Sequence, residues 1–129
     1  MNKKLIKVKT IIKLMSKREV LKILVNKYFD SWNSHDIKCL EPLFSKNCIL
    51  RDWNISKEGI ANVLEANKKI FDDVKNIKAE VLNLFVDEVS DTVSAELLIH
   101  INENEKLKVV DIISFDNVGL IKSIKAYQG

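Results

Sequence analysis

Three acid–base side chains stand where the surrounding pattern turns them inward. Asp111 is in phase with Leu107, Val109, Ile113 and Phe115 on an alternating segment, which places it on the face that buries its apolar neighbours. An ionised carboxylate there is costly unless paired. Desolvation raises its pKa and lets it persist as a neutral acid able to donate a hydrogen bond. Asp52 is in phase with Cys48 and Leu50 at the end of another alternating run, where a pocket would open. Tyr28 falls on the inward stripe of a helix and carries a phenol that needs a partner when buried. Such a set can move a proton and stabilise a developing oxyanion. It can equally serve as internal fastening, with Asp111 bonding a helix terminus, a tyrosine or a buried water. Four aromatics, Trp32, Trp53, Phe71 and Phe115, are the candidate walls of a substrate pocket, and Trp53 stands beside Asp52 at its expected mouth.

Other chemistries find little footing. Cys39 and Cys48 lack metal-site spacing and have no base beside them, so both are expected as reduced thiols. His35 and His100 are solitary, and neither a metal nor a cofactor is expected. Seven basic residues and no acid precede Glu19, whereas acids outnumber bases by four from there on. Residues 1–16 are expected as a basic extension of a single domain over 17–129, and Met15 offers a second start of translation. The apolar pieces of this extension are short and interrupted by lysine, unlike a signal-peptide core or a membrane span. The expectation is a cytoplasmic protein without a nucleic-acid or membrane partner.

The elements that must position these residues follow from periodicity. Val20, Leu21, Leu24, Val25, Tyr28 and Trp32 recur at three and four, predicting a helix from Lys17 to Asn33 with Ser16 as N-cap. Ser34, His35 and Asp36 break it and cap a shorter helix running through Leu43 and Phe44, which Pro42 limits. A short strand through Cys48 and Leu50 and a third helix over about 57–74, with Gly59 in its first turn, come next. Period-two runs then predict an antiparallel meander of four strands, the third of them carrying Asp111. Leu82, Leu84, Leu98, Val110 and Ile112 are predicted on its outer, apolar face.

Several segments carry a family resemblance: Tyr28-Phe-Asp-Ser-Trp-Asn-Ser-His-Asp36, Leu43-Phe-Ser-Lys-Asn-Cys-Ile-Leu-Arg-Asp52, Gly59-Ile60, and Val109-Val-Asp-Ile-Ile-Ser-Phe-Asp-Asn-Val-Gly-Leu-Ile-Lys-Ser-Ile-Lys-Ala-Tyr127. Over roughly residues 17–129 the chain resembles the nuclear-transport-factor-2-like (SnoaL-like) superfamily, and within it the steroid Δ-isomerases (ketosteroid isomerases). The resemblance implies an α+β fold of the cone-shaped, cystatin-like kind, with three helices packed in a curved, mainly antiparallel sheet enclosing a pocket. It implies a homodimer formed through the sheet and a small apolar molecule as ligand. Tyr28 matches a phenol of the oxyanion hole, Asp52 the proton-shuttling base and Asp111 the protonated acid of that hole. The implied activity is cofactor-free double-bond isomerisation of an apolar ketone through a dienolate; the alternative is a non-catalytic dimer of the superfamily that binds a small ligand or a protein. Phe44 and Asn67 stand where steroid isomerases can carry tyrosines behind the oxyanion-hole phenol, and Trp53 replaces a proline after the base.

Overall fold

The computed structural model describes residues 15–129; of the predicted basic extension, residues 1–14 lie outside the described residues. Helix α1 spans Lys17–Ser34 and begins as the sequence predicts, with the Ser16 hydroxyl accepting from the Glu19 N–H at 3.1 Å. Leu21, Val25, Tyr28, Phe29 and Trp32 form its buried stripe. It stops at His35, whose left-handed φ of 60° turns its own N–H back to the Trp32 carbonyl. Asp36 then caps a single helical turn, α2 (Ile37–Leu40), through the Lys38 N–H. Pro42 follows in a 3-10 turn over Glu41–Leu43, so this helix ends earlier than predicted and Phe44 opens a strand.

Six strands form one sheet in the order β2-β1-β6-β5-β4-β3. They are β1 (Phe44–Arg51), β2 (Ser56–Glu58), β3 (Lys78–Asp87), β4 (Thr92–His100), β5 (Lys106–Phe115) and β6 (Ile121–Gln128), with helix α3 (Ile60–Asp73) between β2 and β3. Strands β3 to β6 make the expected antiparallel meander. The exception to antiparallel pairing is β1 with β6, which run parallel. The chain's last strand therefore lies inside the sheet, joining the N-terminal part to the meander. The helices pack on one face of the sheet, and side chains such as Val25, Leu40, Val63, Val93, Ile113 and Ile124 are fully enclosed between the layers. Each stabilises the fold by roughly 1.5–3 kcal/mol. No helix among the described residues is long and apolar enough to cross a membrane.

Two predicted details change. Residues 56–58, placed near the start of the third helix, instead pair antiparallel with β1, from Ile49 with Glu58 to Arg51 with Ser56. Three exposed residues carry no periodic signal, which is why the pairing is hidden in the sequence. On β3 the register slips between Val81 and Asn83, so that Leu82 is an extra, bulged residue. The slip reverses the faces beyond it: Leu84 packs against the core, whereas Phe85, predicted inward, is 61% exposed. The outer face of the sheet keeps exposed Leu82 and Val110, with Phe85 and Tyr127 added and Leu84 removed.

The outer edge of β3 is occupied at its start by the end of α1. The Asn33 amide accepts from the Ala79 N–H at 2.7 Å and donates to the Ala79 carbonyl at 2.9 Å, imitating a neighbouring strand. Lys78 Nζ donates to the Asn33 carbonyl, and His35 Nε2 hydrogen-bonds the Ile77 carbonyl at 2.7 Å. The His35 ring also stacks on Phe71, with ring centres 4.4 Å apart.

Gly59 precedes α3 with φ 86° and ψ 146°, a conformation essentially reserved for glycine, although a Cβ there would meet nothing within 4 Å. Gly59→Ala is expected to lower stability by about 1–3 kcal/mol through backbone strain alone. A urea titration checks this: the midpoint should fall with an unchanged slope, and an unaltered midpoint would show that the turn relaxes freely.

Candidate active site

A cavity of about 270 Å³ lies between the concave face of the sheet and the end of α1. Tyr28, Asp52 and Asp111 all line it. Three different elements deliver them. Tyr28 comes from the fourth turn of α1, Asp111 from the inward phase of β5 between buried Val109 and Ile113, and Asp52 from the first position after β1. The rest of the wall is mostly apolar, including Phe29, Leu50, Ile99, Leu107, Val109 and Ile124.

Asp52 anchors its own loop. Its Oδ1 accepts from the Asn54 and Ile55 N–H groups at 2.7 and 2.6 Å, while its N–H donates to the Ile55 carbonyl at 2.8 Å. This tight turn commits one carboxylate oxygen to the backbone and leaves Oδ2 as the oxygen available to a ligand. Trp53, Asn54 and Ile55, the residues of the turn, complete the mouth.

Asp111 and Tyr28 are 9% and 3% exposed, yet every fully enclosed side-chain N or O among the described residues has a hydrogen-bond partner. No described protein group bonds the Asp111 carboxyl or the Tyr28 hydroxyl, so both polar ends are directed at the cavity. Burial, and secondarily the Asp52 charge, pushes the Asp111 carboxyl up to about 7. Burial and then the proximity of Asp111 hold the Tyr28 phenol well above its ordinary value. Around neutrality Tyr28 is thus a hydrogen-bond donor, and Asp111 is one in its protonated fraction.

Of the four predicted aromatic walls, Trp32 and Trp53 line the cavity, and Trp53 is 46% exposed at its mouth. Phe71 and Phe115 do not. Phe71 is buried one layer back, edge-on to Trp32 at 5.2 Å between centres and stacked on His35. Phe115 ends β5 four residues beyond Asp111, which carries it some 13 Å along the strand, toward Leu21 and the start of α1. Periodicity gives the inward face but not the depth along it. Phe29 lines the cavity and was absent from the predicted stripe, although its position four residues after Val25 marks it as inward.

Phe44 and Asn67 have other roles than tyrosines would. Phe44 packs edge-on against the Tyr28 ring at 5.9 Å and offers no hydrogen bond. Asn67, 3% exposed on α3, accepts from Trp32 Nε1 at 3.0 Å and donates to the Val63 carbonyl at 2.9 Å. The amide fixes the indole that forms part of the cavity wall.

The Asp111 environment implies a pH dependence. An unfolded aspartate titrates near 3.9, so the folded chain holds this proton more tightly. The resulting stabilisation is full below about pH 4 and is lost as pH rises through about 7, an amount of roughly 4 kcal/mol. In urea titrations over this range the wild type should lose stability relative to Asp111→Asn and become the weaker of the two above pH 7. Parallel pH profiles would contradict a buried, protonated Asp111.

Among solved structures, the chain superposes on a SnoaL-like protein of unknown function from Burkholderia thailandensis with TM-score 0.76, at 11% identity over 86% of this chain and 95% of the other. A protein named as a candidate ketosteroid isomerase, from Kribbella flavida, gives 0.71 at 17% identity over 86% and 78%. SalBIII, an epoxide hydrolase/cyclase-like enzyme with a role in pyran ring formation in the polyether salinomycin, gives 0.71 at 20% over 89% and 95%. No protein-family model and no curated protein matches the sequence. Element order, sheet topology and these superpositions agree on the fold: it is α+β and nuclear-transport-factor-2-like, of the cystatin-like kind.

Proposed function

We propose that the chain catalyses proton transfer next to a ketone, moving a carbon–carbon double bond of an apolar substrate held in the cavity. The observation that carries this reading is the convergence of Tyr28, Asp52 and Asp111 on one apolar cavity, where among the described residues the phenol, the Asp111 carboxyl and one Asp52 oxygen have no hydrogen-bond partner. Similarity in fold to a candidate ketosteroid isomerase and to a cyclase-like enzyme supports chemistry on small apolar molecules. The fold alone hosts many activities, so the assignment rests on the site.

In this mechanism the free oxygen of Asp52 takes a proton from the carbon alpha to the carbonyl. The C–H electron pair moves into the C–C bond and the carbonyl pair onto oxygen, giving a dienolate. Tyr28 and neutral Asp111 donate hydrogen bonds to that oxygen in a site whose low polarity strengthens them. Protonated Asp52 then returns the proton to the far carbon of the dienolate and is regenerated, and no group is oxidised or reduced.

The test is the ultraviolet absorbance change as a β,γ-unsaturated ketone becomes its conjugated isomer. Asp52→Asn is expected to lower kcat by roughly 10²- to 10⁴-fold and Tyr28→Phe by about 10²- to 10³-fold, both with the fold retained. Because Asp111 must be protonated, kcat/KM should fall as pH rises through about 7. Turnover indifferent to Asp52→Asn would remove this residue as the base, and a folded wild type inert toward such ketones would point to ligand binding without isomerisation.

A further inference from the structure

Around the rim of the cavity a second depression opens toward the outer side of the sheet, and the two share Asp52, Trp53 and Ala126. This depression is lined by Arg51 and Lys125, with Tyr127 beside them. Arg51 and Lys125 are register partners on the parallel strands β1 and β6, and both are exposed. Like charges side by side on neighbouring strands repel each other. Among the described residues neither forms an ion pair; the paired lysines Lys17, Lys68 and Lys69 lie elsewhere. The adjacent carboxylate, Asp52, turns one oxygen back onto its own loop and lines the apolar cavity.

A lone surface cation calls for no account. Two in register, with no ion-pair partner among the described residues, beside the mouth of an apolar cavity form a local conflict of the kind retained at binding sites. We propose that the ligand of the cavity is an amphipathic anion, with its apolar body inside and its oxyanion, a carboxylate, sulfonate or phosphate, held at the rim by Arg51 and Lys125. This deepens the reading of the cavity as the substrate site and rests on it. Arg51 supplies a planar fork matched to two oxygens, and Lys125 a mobile point charge. An anion between them also removes the repulsion of the two cations. Since the depression is exposed to solvent, the attraction should weaken with added salt.

Anilinonaphthalene sulfonate and phenylnaphthylamine share an apolar body and differ by the anionic group, and both fluoresce on entering an apolar site. Titrated into the full chain at low salt, the sulfonate should bind about tenfold or more tightly than its uncharged counterpart, as hydrogen bonds to a charged group imply. High salt should shrink this preference. In the Arg51→Ala/Lys125→Ala double variant it should fall toward parity, Arg51→Lys should retain most of it, and Lys68→Ala/Lys69→Ala should leave it as in the wild type. Near-ultraviolet circular dichroism establishes that each variant is folded, and the salt series on the wild type decides the question should the double variant not fold. Phenylnaphthylamine binding without any preference for the sulfonate, or with a preference the double variant keeps, overturns the anion subsite and leaves the cavity reading intact. Binding of neither probe overturns both.

Discussion

Strand alternation turns Asp111 inward, onto the cavity. It sits between Val109 and Ile113 on the buried phase of β5, and β5 itself is flanked by β4 and β6, so no edge offers the carboxyl another route. Its ionised form is disfavoured by desolvation and by the Asp52 charge that shares the cavity. In its protonated fraction Asp111 joins the buried Tyr28 phenol as a second donor without an acceptor among the described residues, and in the proposed mechanism a group that develops negative charge on oxygen satisfies both.

Other parts of the fold keep this arrangement in place. The parallel pairing of β1 with β6 sets the Asp52 loop alongside Ala126, the register partner of Asp111. At the far end of the cavity wall, Asn33 and His35 tie the close of α1 to the start of β3, so the helix that carries Tyr28 and Trp32 is fastened to the strand that carries Ala79. Asn67 then fixes the Trp32 indole from α3. Where a tyrosine network would stiffen the phenol by hydrogen bonds, this chain positions Tyr28 by packing against Phe29 and Phe44 and holds its indole neighbour through an amide.

Local pattern made much of this legible. Alternation on β5 is strict, so the inward direction of Asp111 could be read from its neighbours alone, and the three-and-four spacing of α1 did the same for Tyr28 and Trp32. The Ser16 and Asp36 caps are short-range chemistry and appear where the sequence places them. Features set by distant partners were not legible. The Leu82 bulge depends on how β3 meets β4, and its single extra residue exchanges Leu84 with Phe85. Strand β2 exists only because β1 offers it an edge. Phe71 and Phe115 have the correct inward phase, but their depth is decided by where Trp32, His35 and Leu21 come to lie. The free oxygen of Asp52 likewise depends on a turn whose hydrogen bonds leave no periodic trace.

On this structure Asp111 carries its proton into the neutral range inside the cavity. Carbon-13 NMR of the aspartate carboxyl groups, followed through a pH titration and assigned with Asp111→Asn, tests it most directly. One carboxyl resonance, absent from the variant, is expected to titrate with a midpoint of about 7. A resonance for Asp111 that titrates with the ordinary carboxylates, near 4, would contradict it.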